Sequence, residues 1–306
     1  MLVIGSRGSQ LALWQAKWIA ARLAERGQET RIEIIKTTGD KITDVPLAKV
    51  GTKGLFTKEI EEALLDGRID LAVHSLKDLP TETPDGLVIA AIPQREDPRD
   101  AIVGAMLSAL RAGSKVGTSS LRRAAQLRVV RKDLKIESVR GNLDTRVRKL
   151  DEGQYEAIVL AAAGLTRLGW AHRIAEILPP EVMCPAVGQG ALAVETRTEG
   201  PAREICGALD HPATRVAVTA ERAVLASLGG GCQVPIGAHA QVSGEMLHLI
   251  GVVIAPDGER VVRKSDEGGP AGAEELGRRV GAALLADGAR EILEQVYGAP
   301  VRDSAV

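Results

Sequence analysis

Cysteine, asparagine and aromatic residues are all scarce in this chain of 306 residues. The three cysteines, Cys184, Cys206 and Cys232, form no CxxC pair and no metal-ligand spacing, and their odd number argues against a disulfide framework, so reduced thiols are expected. One Phe, three Trp and two Tyr supply few flat rings for stacking bases, which makes single-stranded nucleic acid a poor partner. Asparagine occurs once, at Asn142; a hot habitat and a genome bias account for that equally well. The longest apolar run, residues 157–165, falls far short of the ~20 residues that cross a bilayer. The opening MLVIGSRGSQ lacks the basic region, long apolar stretch and cleavage site of a signal peptide, so a cytoplasmic protein is expected. Also missing are HExxH, GxSxG, Walker and GxGxxG patterns, and His74, His172, His211, His239 and His248 show no ligand spacing. A zinc enzyme, serine hydrolase, kinase or dinucleotide enzyme is therefore not expected, and no metal is assigned.

What is present fits a globular protein of two or three domains, with 45% hydrophobic and 26% charged residues. The net charge of -1 speaks against a protein that coats nucleic acid. Residues 111–150 nevertheless hold twelve Lys or Arg against three acids, and that stretch expects an anionic partner.

Short apolar strands alternate with amphipathic helices through the first two thirds, which predicts βα units on a largely parallel sheet. Strands are expected at 2–5, 31–36, 69–74 and 87–92, with helices at 9–26 and 55–66. The polar segment PQREDPRD, residues 93–100, reads as a crossover into a second βα set, with strands near 115–117, 134–139 and 157–160 and helices at 119–131 and 142–152. GQGALAVETR, near 185–195, reads as a strand returning to the first domain. The remainder predicts a small α+β domain: a helix at 214–228, a GGGCQVPIG loop, strands near 238–243 and 247–254, a hairpin at 256–258 and a helix from about Glu274. The expected division is 1–92 with 188–210, then 93–187, then 211–306.

Three features can carry chemistry. HSLKDLP, residues 74–80, lies where a strand should end, and ligands of open α/β sheets sit beyond the carboxyl ends of strands; alone, it is also what a solvated turn looks like. Three glycines precede Cys232, which leaves its thiol either on an uncluttered loop or as a small hydrophobe at a turn. Cys184 and Cys206 read as buried hydrophobes. The third feature is a set of arginines: Arg7, Arg122, Arg123, Arg140, Arg146 and Arg167. Ser119 and Ser120, opening a helix beside the Arg122–Arg123 pair, make an anion site for carboxylate or phosphate.

Together, SRGSQLALWQA (6–16), KVGTKGLFTKEIE (49–61), DLAVHSLKDLPT (70–81), VGTSSLRRAAQL (116–127), VRGNLDTRVRKL (139–150), AAAGLTRLG (161–169), PAVGQGALAVE (185–195) and GGGCQVPIGA (229–238) resemble the porphobilinogen deaminase family in the right order. The resemblance spans nearly the whole chain. It implies an α/β fold, with two periplasmic-binding-protein-like α/β domains around a cleft and a small α+β C-terminal domain. It also implies a transferase of heme and tetrapyrrole biosynthesis that joins four porphobilinogen molecules, with loss of ammonia, into hydroxymethylbilane on a covalently bound dipyrromethane primer.

By the same resemblance Cys232 holds the dipyrromethane as a thioether and Asp78 is the catalytic carboxylate. Lys77, Asp78, Thr118, Ser120, Arg122, Arg123, Arg140 and Arg146 match cofactor-contact positions, while Arg7, Ser9, Gln15, Ser75 and Arg167 match substrate-contact positions. Residues 43–54, with Lys49, Gly51, Lys53 and Gly54, match a flexible loop over the cleft. Loss of ammonia from porphobilinogen leaves an electrophile that a thiolate or a pyrrole carbon can attack. The acetate and propionate of each pyrrole call for cations. A monomer without nucleic-acid or membrane partners is implied. The runner-up is a two-lobed anion-binding module without catalysis, and after it an RNA- or phosphate-binding protein using 111–150.

Overall fold

The computed structural model describes residues 1–41, 54–230 and 234–298. The chain forms two compact units, Met1–Glu96 with Gly190–Arg215 and Asp97–Gln189 with Val216–Val306. It begins with β1 (Leu2–Ser6), α1 (Gln10–Ala24), β2 (Thr30–Ile34), α2 (Thr38–Lys41), α3 (Lys58–Leu65), β3 (Leu71–Ser75) and β4 (Leu87–Ala91). The second unit opens with β5 (Asp100–Gly104), β6 (Lys115–Gly117), α4 (Leu121–Val130), β7 (Lys135–Glu137), α5 (Leu143–Asp151), β8 (Ala157–Ala161), α6 (Ala162–Arg167) and β9 (Ile174–Leu178). The chain then returns to the first unit with β10 (Leu192–Arg197) and α7 (Pro201–Gly207).

The sheet of the first unit runs β2-β1-β3-β10-β4 and that of the second β7-β6-β8-β5-β9. In the first, β1 is parallel to β2 and β3, and β10 is antiparallel to both its neighbours. In the second, β6 is parallel to β7 and β8, and β5 is antiparallel to both of its own. The plans match, and in each the antiparallel fourth strand is one the chain lays down just after crossing between units. Both sheets are thus mixed by one reversed strand each, and the other four strands run the same way, as the expectation of largely parallel sheets has it. The hydrophobic pattern of a short buried strand does not record its direction.

Central strands β3 (LAVHS) and β8 (AIVLA) are buried along almost their whole length, as strands covered on both faces must be. Helix α1 buries Ala16, Ile19 and Leu23 at helical spacing and is capped by Ser9, which accepts from Ala12 N. β5 starts at the last residue of the segment read as crossover and, like β9 and α7, was not expected. β9 is a half-buried edge strand whose five residues, IAEIL, are mostly apolar but too few to show a period.

The rest of the second unit holds α8 (Pro212–Ser227), β11 (Ile236–Ser243), β12 (Met246–Ile254), β13 (Val261–Gly268), α9 (Ala273–Leu284) and α10 (Arg290–Tyr297). The strands form an antiparallel sheet in sequence order. β13 was not given as a strand, because in VVRKSDEG only Val262 is a buried apolar residue and the rest is mostly polar or exposed. Val224, Leu228, Leu249, Val280, Leu284 and Leu293 share one core. Helix α9 sits close on α8: a Cβ placed at Gly277 would stand 2.3 Å from the Ala220 carbonyl. No described helix is long and apolar enough to cross a membrane.

Candidate active site

In the first unit, the carboxyl ends of β1 and β3 and the amino ends of α1 and α3 enclose a pocket. Arg7, Ser9, Gln15, Thr57, His74, Ser75 and Asp78 line it, with Phe56 and apolar neighbours. Position explains this gathering, since β1 and β3 are adjacent and parallel and their following residues leave the sheet on one edge. Gln15 is 2% exposed and donates from Nε2 to Ser75 Oγ at 2.9 Å. A 3-10 turn, Leu76–Asp78, follows β3 and presents Asp78 as an exposed side chain, while Leu76 is buried and its N–H donates to the Ala191 carbonyl at 3.0 Å.

Arg7 is held in place from two directions. Its guanidinium meets Asp40 Oδ1 at 2.5 Å and lies 4.2 Å from the centroid of Phe56, the only phenylalanine of the chain. Burial alone would raise the Asp40 carboxyl, but hydrogen bonds from Arg7 and Thr37 hold it below the ordinary carboxylate range. The pocket therefore presents an oriented cation, an exposed carboxylate and several hydrogen-bonding groups.

In the second unit, the residues expected to make an anion site lie around the amino end of α4. Ser120 caps the helix, its Oγ accepting from Arg123 N, and Thr118 Oγ1 accepts from Ser120 N at 3.3 Å. Ser119 Oγ donates to the Val139 carbonyl at 2.6 Å, which ties this loop to the segment before Arg140. Arg146 donates to the Gly141 carbonyl at 2.8 Å and Lys149 to the Arg140 carbonyl at 3.3 Å. Arg167 closes α6 at 9% exposure.

Arg122 and Arg123 lie deeper than surface cations do. Arg122 Nη1 meets Asp100 Oδ2 at 2.7 Å and the Cys184 carbonyl at 2.5 Å. Arg123 reaches Asp100 Oδ1 at 2.7 Å, with further bonds to the Val159 carbonyl and Gln189 Oε1. Asp100 is completely buried. Burial by itself would raise its pKa, but the two arginine charges, with hydrogen bonds from Arg122 and Gln189, bring it down to about 2.

Two family models cover the chain. The first, "Porphobilinogen deaminase, dipyromethane cofactor binding domain", matches residues 2–204, and the second, "Porphobilinogen deaminase, C-terminal domain", matches residues 215–286. The chain belongs to the porphobilinogen deaminase family. Among curated relatives bearing that name, one from Syntrophobacter fumaroxidans is 53% identical over 302 residues, covering 97% of this chain and 98% of its own. One from Geobacter sulfurreducens is 54% identical over 301 residues, covering 97% and 95%. Among solved structures, a periplasmic substrate-binding protein of an ABC transporter from Coxiella burnetii is 14% identical with a TM-score of 0.43, covering 70% of this chain and 94% of its own. That likeness is too slight to bear on the site.

Arg7, Ser9, Gln15, Ser75 and Asp78, singled out in the sequence, thus meet at one pocket, and Thr118, Ser120, Arg122 and Arg123 meet around one helix end. Lys77 lies in the turn beside Asp78. Cys232 and residues 43–53 of the expected loop lie outside the described residues. Sequence reasoning passed over Asp40, Phe56, Asp100, Gln189 and Glu195, which hold the named residues in place. Only Asp100 left a signal, as an acid inside PQREDPRD facing no local cation except Arg99 and Arg95.

Proposed function

We propose that this chain joins four porphobilinogen units, with loss of ammonia, into the linear tetrapyrrole hydroxymethylbilane, with Asp78 as the catalytic carboxylate. The observation that carries the site assignment is the exposed Asp78 carboxylate in a pocket that also holds Arg7, Gln15 and Ser75. The family's cofactor is dipyrromethane, and the donor chemistry suits it. A pyrrole carries N–H donors that Asp78 can accept, and acidic side chains that guanidinium and hydroxyl groups around a helix amino end can bind. When bound, the dipyrromethane supplies a nucleophilic pyrrole carbon as the growing point.

Asp78 accepts the pyrrole N–H of the incoming unit and stabilises the positive charge that develops as ammonia departs. The amine, protonated at neutral pH, leaves as ammonia without a proton from Asp78, and the carboxylate takes up the proton that the attacking ring carbon releases as the new bond forms, passing it on to water. Lys77 and Arg7 bind acetate or propionate groups, and Arg7 is already oriented by Asp40 and Phe56. Ser9, Gln15 and Ser75 complete the substrate contacts. Thr118, Ser120, Arg140 and Arg146 bind primer carboxylates, with Arg167 on the substrate. Arg122 and Arg123 also fix the amino end of α4, and because Asp100 offsets only one of their two positive charges, the pair keeps one for primer carboxylates. We further read the chain as three domains, 1–92 with 188–210, 93–187 and 211–306, and as a cytoplasmic monomer without nucleic-acid partners.

The decisive experiment is the intact mass of the purified protein beside that of Cys232→Ala. A two-pyrrole adduct on the parent, lost in the variant, with porphobilinogen consumed only by the parent, is the expected result. A bare mass together with no consumption of porphobilinogen overturns the reading in favour of a non-catalytic anion-binding module.

A further inference from the structure

The layer between β3, β10 and α3 buries Ile60, Ala63, Leu64 and Ala72, and one polar pair interrupts it. His74 Nε2 stands 3.1 Å from Glu195 Oε2, with side chains 5% and 1% exposed. The two residues are diagonal neighbours on the antiparallel ladder, His74 opposite Ala193 and Glu195 opposite Ala72, so both face α3. From α3, Glu61 joins the cluster. Burial first, and the Glu195 charge after it, raise its carboxyl above the ordinary range, while His74 acts the other way and Glu62 adds repulsion.

A carboxylate and an imidazole taken out of water in an apolar layer stabilise the fold no better than two well-packed apolar side chains would. A polar pair kept at such a place calls for a use beyond folding. One lies beside it. His74 lines the pocket with Ser75 and Asp78 and directly precedes Ser75, with buried Leu76 opening the turn that carries Asp78. The turn that carries Asp78 is held on the same side by the Leu76 N–H on the Ala191 carbonyl.

We propose that His74, clamped by Glu195, is a positioning residue for Asp78: the pair pins the carboxyl end of β3 to β10 so that the following turn leaves the sheet in one fixed place. The inference rests on Asp78 being the catalytic carboxylate. A carboxylate displaced by about 1 Å loses rate by up to roughly a hundredfold without losing substrate affinity, so the signature is a fall in kcat at constant KM.

The test uses full-length protein whose mass shows the primer adduct. The double variant His74→Leu/Glu195→Leu is expected to melt no lower than the parent while kcat falls at least about tenfold and KM stays within about twofold. Glu195→Gln, which keeps an acceptor for the imidazole, should restore kcat to within about threefold of the parent, and Glu195→Leu should not. Should the double variant not fold, the contrast between the two Glu195 variants decides. Equal kcat in those two, or an unchanged kcat in a folded double variant, overturns the proposal. Asp78→Ala measured alongside separates the two ideas: if it keeps full kcat, the assignment of Asp78 fails rather than the clamp.

Discussion

Asp100 is the residue on which the second unit's arginine pair depends, and Asp100→Asn isolates that dependence. The substitution keeps the shape and one acceptor oxygen but removes the negative charge between guanidiniums that are 4% and 6% exposed. A carboxyl that titrates at about 2 in the fold, against 3.8 for a free one, contributes about 2 kcal/mol at neutral pH. Leaving both arginines without a counter-charge adds their desolvation, for a total loss of about 3–5 kcal/mol, or a fall in melting temperature of roughly 10 °C for a unit of this size. The folded value lies below the unfolded one, so the stabilisation is complete above pH 3.8, shrinks as the pH falls toward 2 and is gone below it. Urea unfolding of parent and variant followed by circular dichroism at pH 7, 4 and 2.5 reads this out. A variant within about 1 kcal/mol of the parent at pH 7 refutes the reasoning. So does a gap that fails to narrow between pH 4 and 2.5.

Burial pushes the thiols of Cys184 and Cys206 up to about 12, so iodoacetamide at pH 8 should leave both unmodified in the native protein and alkylate both in urea; native labelling of either, read by peptide mass, contradicts that burial. Arg7→Leu should raise KM for porphobilinogen about tenfold by removing a charge-assisted contact, and steady-state kinetics with an unchanged KM would remove Arg7 from the substrate site. Gly277→Ala, which on an open helix would stabilise by up to about 1 kcal/mol, should here destabilise by roughly 1–3 kcal/mol, because the new methyl meets the Ala220 carbonyl at 2.3 Å and Ala223 Cβ at 2.5 Å. A melting temperature equal to or above the parent's would show that α8 and α9 can part at no cost.

Motif residues were legible in the sequence as an ordered set. Glycines before Cys232 and a lysine and an aspartate after a buried strand were each ambiguous alone, and gained meaning only when eight segments resembled one family in the same order. Helices such as α1 and α9 were legible from apolar spacing and a capping serine or glycine. Direction was not legible in β5 and β10, nor existence in β9, whose five residues are too few to show a period, and β13, whose sequence VVRKSDEG is mostly polar. The partners of the site residues were the least legible of all. Asp100 serves Arg122 and Arg123 from 22 and 23 residues away, and Glu195 serves His74 from 121 away.

The sequence by itself determined the α/β elements and the cationic character of 111–150, which are properties of local composition and spacing, and its resemblance to one family pointed to the residues for binding acidic pyrroles and moving a proton. Tertiary structure decided how those cations are held and how far their charge is offset. Arg122 and Arg123 are turned onto a buried carboxylate, and Arg7 is oriented by Asp40 and Phe56. The physical reason is that a charge's strength depends on its burial and its partner, and both are set by residues that meet only when β3, β5 and β10 take their places in the sheets.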